Sequence, residues 1–212
     1  MTTGGAPLLE FLEVMRLLRV ACPWKAEQTH RSLARYLLEE THETLEAIDA
    51  GDATGDWAHL REELGDLLLQ VYFHAVIAEE AGEFTLDDVA GDIVAKMRRR
   101  NPHAFGPEGE RPEPADPTSV NELWESIKAT EKRRTSPTDG LPPGLPALLY
   151  ADKVLDRLER DDPGRAAPVA SAGADGDLGE RLLAMVAEAR ASGVDPEQAL
   201  RDAVRRLVRP PR

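Results

Sequence analysis

Five acidic residues stand in two short clusters of the 212-residue chain, and their type and spacing could hold a metal ion. They are Glu39, Glu40 and Glu43 in LLEETHETLEAI, and Glu63 and Asp66 in LREELGDLLLQV. Spacings of three and four residues place the carboxylates of each cluster on one face of a helix. Crowded anions repel one another unless a cation lies among them. Mg²⁺ prefers oxygen ligands and leaves room for water and phosphate, so the clusters predict metal-assisted chemistry on a phosphate compound.

Two cations and an aromatic ring extend this prediction to a nucleotide. Lys96 and Arg100 share the apolar side of a predicted helix, whereas the two arginines between them face away. Cations on an inward side need an anion, and phosphate oxygens would supply it. On a later helix, Trp124 and Lys128 are one turn apart at the edge of an apolar stripe. A nucleotide complex of Mg²⁺ fits this set, with the metal on the acids, the phosphates on the cations and the base on the ring.

Each of these residues also has a purely structural interpretation. A single glutamate on a helix usually belongs to a solvated face. Lys96 and Arg100 could stabilise the C-terminus of their helix, and Trp124 could be a core residue. Solvation is a weaker explanation for the acids as a group, because residues 39–66 contain ten acids and one arginine.

The composition disfavours several classes of function. The net charge of −13 and the pI near 4.9 argue against nucleic-acid binding, which requires a basic surface. The single Cys22 rules out an internal disulfide and fits a reducing compartment. The amino-terminal sequence lacks the basic flank and long apolar run of a signal peptide, and the apolar run 67–78 is too short for a bilayer. We therefore expect a cytoplasmic protein that binds neither nucleic acid nor a membrane.

Helical patterns dominate the chain and predict an all-α fold. Long alternating runs and clusters of β-branched residues are scarce, which disfavours strands. The predicted helices cover residues 8–20, 29–50, 56–81, 85–100, 119–134, 147–160, 178–190 and 196–208. Their boundaries follow from capping and stop signals, among them a capping box of Thr85 with Asp88 and a stop near Gly51.

The character of the chain changes after residue 135. We place a main domain at residues 6–135, a linker with a short helix at 136–160, and a flexible joint with a divergent helical tail at 161–212. Proline and glycine dominate the linker, and small residues dominate the joint. The tail contains no second copy of the acidic clusters.

The apolar faces of the helices predict how they pack. The apolar arc of helix 29–50 is Leu33, Leu37, Leu38, Thr41, Thr44, Leu45 and Ile48. The expected inward stripe of helix 56–81 is Leu60, Leu64, Leu67, Leu68 and Val71, and the expected buried side of helix 85–100 is Val89, Ile93 and Met97. A second stripe of helix 56–81 carries Glu63 and Asp66 and continues to Phe73. Because this helix is apolar on two sides, we expect self-association to cover one of them.

The acidic pattern and its flanks resemble the MazG family of nucleoside triphosphate pyrophosphohydrolases. The pattern is EExxE followed by ExxD, here Glu39-Glu40-x-x-Glu43 and Glu63-x-x-Asp66. The flanking matches are CPWKAEQTHRSL at 22–33, ELGDLLLQV at 63–71, KMRRRNPHAF at 96–105, LWESIK at 123–128 and LPALLYADK at 145–153. All-α dUTPases share the acidic pattern, whereas the CPW and NPH segments in this order make the match specific. The resemblance covers residues 8–158.

The resemblance implies an all-α fold with a four-helix-core bundle, a homodimer and a short helical C-terminal tail. It implies hydrolysis of nucleoside triphosphates to nucleoside monophosphate and pyrophosphate, with broad or housecleaning specificity. The implied cofactor is Mg²⁺, which Mn²⁺ can replace. The implied metal ligands are Glu40, Glu43, Glu63 and Asp66. The implied catalytic and substrate-binding residues are Lys96 and Arg100 on phosphate, Glu39 as a further ligand or the residue that orients the attacking water, and Trp124 and Lys128 on base and phosphate.

Two departures from the family pattern bear on activity. The family's CPWD reads CPWK here, so Lys25 replaces an acid. Long family members carry a second acidic set in a C-terminal half, which this chain lacks. Three alternatives stay open: an all-α hydrolase specialised for dUTP, a catalytically silent nucleotide-binding or regulatory bundle, and a metal-binding structural bundle.

Overall fold

The computed structural model describes residues 6–107, 112, 116–131, 135–161 and 176–208. Within these ranges the chain forms helices and no strand, which confirms the all-α prediction. The sequence predicts a solvated proline-rich loop at residues 106–117, and most of this segment and of the flexible joint lies outside the described residues. No helix in the described ranges combines the length and the apolar character that a membrane span requires.

The helices fall into two compact units, Met1–Ile127 and Lys128–Arg212, which are described separately. The helices are α1 (Ala6–Ala21), α2 (Pro23–Ala26), α3 (His30–Thr54), α4 (Ala58–Glu80), α5 (Leu86–Arg100), α6 (Pro102–Phe105), α7 (Pro117–Glu131), α8 (Ala147–Asp161), α9 (Leu178–Ala191) and α10 (Pro196–Val208). α7 begins in the first unit and ends in the second.

α4 is the central helix of the first unit. It packs against α1, α3 and α5, and its most extensive contact is with α3. The buried cluster at its centre consists of Leu12, Met15, Leu33, Tyr72, Phe73 and Val76. Burying a side chain of this size contributes about 1.5–3 kcal/mol, so this cluster fixes α1 and α3 against one side of α4.

Capping boxes fix the first turns of α3 and α5. Thr29 Oγ1 accepts a hydrogen bond from the Ser32 N–H at 3.1 Å, and Ser32 Oγ accepts one from the Thr29 N–H at 2.9 Å. The box predicted for Thr85 and Asp88 is confirmed, with the Asp88 carboxylate 2.8 Å from the Thr85 nitrogen. Because a helix is a rigid repeat, these starts determine which residues share a face several turns later.

α3 runs farther than its glycine signal predicts. The predicted end near Gly51 is wrong, because the helix continues to Thr54 and is capped by Gly55, whose φ is 76°. Glycine adopts that left-handed conformation at little steric cost. The Trp57 ring lies on Gly51, where a Cβ atom would come within 2.4 Å of Trp57 Cε3. The glycine at position 51 therefore lets the start of α4 close over the last turns of α3.

Two ion pairs tie α1 to the end of α4. The Arg16 guanidinium donates to Glu79 at 2.7 Å, and Arg19 donates to Glu80 at 2.5 Å. The Arg19 side chain is only 9% exposed and also stacks over the Phe73 ring at 5.9 Å. The two arginines thus anchor α1 over the core side of α4, next to the buried cluster.

The predicted inward stripe of α4 is wrong for two of its residues. Leu64 and Val71 are 49% and 41% exposed, whereas Glu63, Gln70 and Phe73 on the other stripe are buried. Both stripes are apolar, and α1 and α3 cover the second one.

The predicted buried side of α5 also stays partly open, as does the arc of α3. The exposed residues of this open apolar face are Leu37, Leu38, Leu45, Ile48, Leu64, Val71, Val89 and Ile93.

The second unit is a small helical cluster with its own core. Leu155 of α8 is buried against Val186 and Ala187 of α9. Arg190 of α9 donates to acids of α8, with Asp152 Oδ1 at 2.6 Å and Glu159 Oε2 at 2.8 Å. These hydrogen bonds raise the pKa of Arg190 against the opposing effect of burial. The ion pairs lock α9 to α8.

Two histidines join the start of α3 to the middle of α4. The Nδ1 atoms of His30 and His74 are 2.8 Å apart, the ring centroids are 5.1 Å apart and the planes differ by 5°. The nitrogen edges therefore face each other, so one Nδ1 carries the proton and the other accepts it. His74 Nε2 is buried without a partner. Burial, and then the positive charge of His30, lower the pKa of His74.

We expect this histidine pair to make stability depend on pH. The folded pKa of His74 lies below its ordinary value of 6.5, so the unfolded chain binds its proton first. The stability from this group is fully present above pH 6.5 and is lost as pH falls through the folded pKa. Urea unfolding on both sides of pH 6.5 should show the wild type losing more free energy of unfolding than the His74→Gln variant. The exposed His42 offers a control through His42→Gln, and equal pH profiles for wild type and His74→Gln would contradict the prediction.

Candidate functional site

Three of the predicted metal ligands meet where α3 packs against α4. Glu40 and Glu43 of α3 and Glu63 of α4 each place a carboxylate oxygen within 4.8 Å of the others. Their environments differ, because Glu63 is buried, Glu40 is half-buried and Glu43 is exposed. The group thus reaches from the helix interface to solvent, so a small ion and its water ligands have access to it.

The packing of the two helices produces this arrangement. The face of α3 that carries Glu40 and Glu43 continues to the buried Thr44 and Ala47, which face α4. On α4, Glu63 lies two turns before the buried Gln70 on the same buried stripe. Glu40 and Glu63 therefore lie on the buried faces of α3 and α4, whereas Glu43 is exposed.

Glu40 has a raised pKa in this group of acids. Burial raises the pKa of Glu40, and the charges of Asp66 and Glu43 raise it further. A hydrogen bond that protonated Glu40 donates to the Glu43 carboxylate, and the charge of Glu63, act in the same direction. Four carboxylates therefore act on one another here, and a divalent cation would relieve their repulsion.

Asp66 and Glu39 lie outside the tight group of oxygens. Asp66 is half-buried and acts electrostatically on Glu40, which places it beside the group. Glu39 is exposed and contributes no oxygen to the group. The ligand role of Asp66 and the catalytic role of Glu39 stay predictions.

The predicted phosphate contacts of α5 stay predictions. Lys96 and Arg100 are half-buried, whereas Arg98 and Arg99 are exposed. The Arg100 guanidinium lies over the Trp124 ring of α7 at 5.2 Å, so a cation and the predicted base platform are in contact.

Lys128 begins the second unit, one turn after Trp124 on α7. It is half-buried, and its predicted contact with a substrate phosphate stays a prediction.

Lys25, which stands where the family pattern has an acid, takes part in an aromatic cluster. Its Nζ lies 5.4 Å from the Trp24 ring and 5.3 Å from the Phe73 ring. The Trp24 ring meets the Tyr36 ring edge to face at 6.1 Å. Tyr36 is one turn before Glu40 on α3, so this cluster adjoins the acids along the helix. The lysine therefore packs against aromatic rings.

One residue that touches the acids was missed by the sequence reasoning. His59 Nε2 lies 2.8 Å from Glu63 Oε1. His59 precedes Glu63 by four residues on α4, a spacing at which helical side chains meet. The spacing of four residues was the available signal in the sequence. Many exposed pairs on helices have this spacing, so it does not single out His59.

The donor set fits a hard divalent cation. Carboxylates are the ligands that Mg²⁺ and Mn²⁺ accept readily. The group of ligand atoms contains neither a cysteine sulfur nor a histidine nitrogen. Burial and the neighbouring carboxylates raise the pKa of Glu40, and a cation would favour the ionised acids. With Lys96 and Arg100 half-buried on α5, the unit holds the charges of both signs that a phosphate substrate requires.

The second unit repeats the spacing of the α4 acids but uses it differently. The sequence LGERLL at 178–183 matches LGDLLL at 64–69, and Asp177 and Glu180 are three residues apart like Glu63 and Asp66. In α9, however, Asp177 accepts from the Glu180 N–H at 2.9 Å, and Glu180 accepts from the Asp177 N–H at 2.9 Å. The pair forms a capping box and starts the helix. Its oxygens are thus engaged by the backbone.

The chain is similar to a known domain family and to several known proteins. The MazG nucleotide pyrophosphohydrolase domain matches residues 28–105, a range that contains all four predicted metal ligands and both predicted cations. An uncharacterized 26.1 kDa protein of Streptomyces cacaoi is 46% identical over 94% of this chain and 78% of its own length. The nucleoside triphosphate pyrophosphohydrolase/pyrophosphatase MazG of Thermotoga maritima is 35% identical over 98% of this chain and 85% of its own length.

A third relative is longer than this chain. The nucleoside triphosphate pyrophosphohydrolase of Mycobacterium tuberculosis is 46% identical over 74% of this chain, and the match covers 46% of its own length. The chain therefore spans about half of this mycobacterial relative.

We expect the crowded acids to oppose stability until a metal binds. Replacing Glu40 by Gln removes one repelling charge, so the metal-free variant should melt higher, by about 2–4 °C for each 1 kcal/mol gained. Mg²⁺ at a hundred times its Kd should stabilise the wild type by about 2.7 kcal/mol, and this gain should largely vanish in Glu40→Gln. Thermal unfolding with EDTA and with Mg²⁺ measures both effects. Glu46→Gln, at an exposed position of α3, is the control; a Glu40→Gln variant that keeps the full Mg²⁺ gain would contradict the prediction.

Proposed function

Because the chain belongs to the MazG nucleotide pyrophosphohydrolase family, we propose that it hydrolyses nucleoside triphosphates to nucleoside monophosphate and pyrophosphate. The observation that carries the proposal is the convergence of Glu40, Glu43 and Glu63 within 4.8 Å between α3 and α4. Mg²⁺ is the proposed cofactor, and Mn²⁺ is the proposed substitute. Glu40, Glu43, Glu63 and Asp66 would hold it.

The chemistry of this reaction requires charge neutralisation at the phosphates. Water attacks the α-phosphorus, a new P–O bond forms, and the bond to the bridging oxygen of pyrophosphate breaks. The residues that would hold a divalent cation are Glu40, Glu43, Glu63 and Asp66, and the cation would supply charge neutralisation and a lowered pKa of its bound water. The acids of α3 and α4 would position the reacting phosphates through the cation that they hold, and Glu39, next to Glu40, is the proposed residue that orients the attacking water.

The cations of α5 supply the second half of the proposed site. Lys96 and Arg100 would contact phosphate oxygens and stabilise the negative charge that spreads over them in the transition state. Arg100 lies over the Trp124 ring, so a nucleotide whose phosphates contact Arg100 would lie close to this ring, and Trp124 is the proposed contact for the base. Lys128 is a further proposed phosphate contact. Broad specificity goes with this proposal, since an aromatic ring can stack on any base.

A homodimer completes the proposal. The open apolar face of α3, α4 and α5 contains eight large apolar residues that are 38–61% exposed. Such a face on a folded unit is usually covered by another protein surface. A second copy of the chain is the proposed cover. A cytoplasmic location suits a chain whose one cysteine is free.

The reaction products test the proposed activity. Incubation with each nucleoside triphosphate and Mg²⁺ should release monophosphate and pyrophosphate. The Lys96→Ala variant should lose about 100-fold or more in kcat/KM, because a charge-stabilising contact is removed, while its Mg²⁺ affinity stays nearly unchanged. Chromatography of the products and a pyrophosphate assay are the measurements.

The neighbouring Arg98 provides the matched control, because it is an exposed cation of the same helix. Arg98→Ala should retain the wild-type rate. Diphosphate with orthophosphate would mean that another bond is cleaved. A preference for dUTP alone would indicate a dUTPase, and tight nucleotide binding without hydrolysis would indicate a silent regulatory bundle.

The valines at positions 71 and 14 test the dimer. Both are 41% exposed, but Val71 lies on the open apolar face of α4 and Val14 lies on α1. A buried unpaired charge is costly, so Val71→Arg should shift the protein from dimer to monomer, and Val14→Arg should leave the dimer intact. Light scattering after size exclusion measures the mass. A wild-type monomer, or a Val71→Arg dimer as stable as the wild type, would contradict the proposal.

A further inference from the structure

We infer that His59 is a positioning residue that holds the Glu63 carboxylate in the orientation required for metal binding. The inference rests on the proposed function, because it concerns one ligand of the proposed metal site. Its basis is the contact of His59 Nε2 with Glu63 Oε1 at 2.8 Å, between a half-exposed ring and a carboxylate whose side chain is 11% exposed.

The chemistry of the two groups determines the direction of this hydrogen bond. An ionised carboxylate has acceptors only, so the imidazole must donate through an N–H at Nε2. A nitrogen that carries a proton has no lone pair for a metal. In the observed orientation His59 therefore acts on the cation through Glu63 and not as a ligand itself, which also agrees with the preference of Mg²⁺ for oxygen.

Glu63 needs such a partner more than the other acids do. It is buried, whereas Glu43 is exposed and Glu40 is half-buried, so water can solvate those two more fully. It is also the member of the group that α4 contributes, opposite two acids of α3. Repulsion from that side would turn a free Glu63 side chain away, and the hydrogen bond from His59 opposes this rotation. One carboxylate oxygen is engaged by the ring, which leaves the other for the ion.

Partners of this kind have a measurable effect in metal sites. Ligand carboxylates are commonly hydrogen-bonded by a second residue, and loss of that residue weakens metal affinity by about 10–100-fold. A helical pair spaced by four residues contributes little to folding, so the same loss should barely change the stability of the metal-free protein. The contrast between the two effects separates positioning from support of the fold.

The test measures Mn²⁺ binding by electron paramagnetic resonance on the full chain, without substrate. His59→Ala should weaken Mn²⁺ binding by about 10–100-fold, while its melting temperature in EDTA stays at the wild-type value. His59→Gln should restore affinity close to the wild type, because an amide N–H four residues before Glu63 can donate to the same oxygen. The exposed His42 of α3 gives the matched control, since His42→Ala should bind Mn²⁺ as the wild type does.

The outcomes distinguish this inference from the proposed function. A wild type that binds no Mn²⁺ removes the metal site, and the proposed function fails together with the inference. A wild type that binds Mn²⁺ and a His59→Ala variant that binds it equally well overturn the inference alone. A nitrogen directly bonded to Mn²⁺ in the wild type, seen by electron spin echo and lost in His59→Ala, would make His59 a ligand and overturn the positioning role.

Discussion

The site depends on holding two helices together at the place where their side chains repel. Glu40 and Glu43 come from α3 and Glu63 from α4, and burial together with the neighbouring carboxylates raises the pKa of Glu40. Apolar contacts elsewhere on the same helices must outweigh this repulsion. The buried cluster around Phe73 and the approach of Trp57 to Gly51 supply them on both sides of the acids. The energy for assembling the site thus comes from packing at its two ends.

A second constraint is that the first unit buries only part of its apolar surface. α4 is apolar on two sides, and α1 and α3 cover just one of them. α3 and α5 also carry exposed apolar residues. Association of two chains through this face would bury further apolar area at about 25 cal/mol per Å², and it would also restrict the motion of the helices that carry the ligands. Folding, association and metal binding would then act on the same three helices.

The sequence was sufficient for the fold class and for the meeting of the acids, because both follow from helical periodicity. The capping box at Thr85 also followed from local chemistry. Local sequence patterns did not predict the features that depend on tertiary packing. Both stripes of α4 are apolar, and the packing of α1 and α3 decides which one is buried. Gly51 has the signature of a helix end, yet its function is the close approach of Trp57, a contact that depends on tertiary structure. The contact of His59 with Glu63 was missed because many exposed helical pairs have the same spacing and no consequence.

The second unit sets a limit on protein engineering. Asp177 and Glu180 have the residue types and the separation of a ligand pair, but they are committed to the opening turn of α9. A designer who wanted a second cation centre there would first have to extend the helix upstream, so that backbone N–H groups no longer occupy the two carboxylates. Residue identity and spacing alone would not transplant the chemistry, because a ligand pair must lie inside a helix that has already begun.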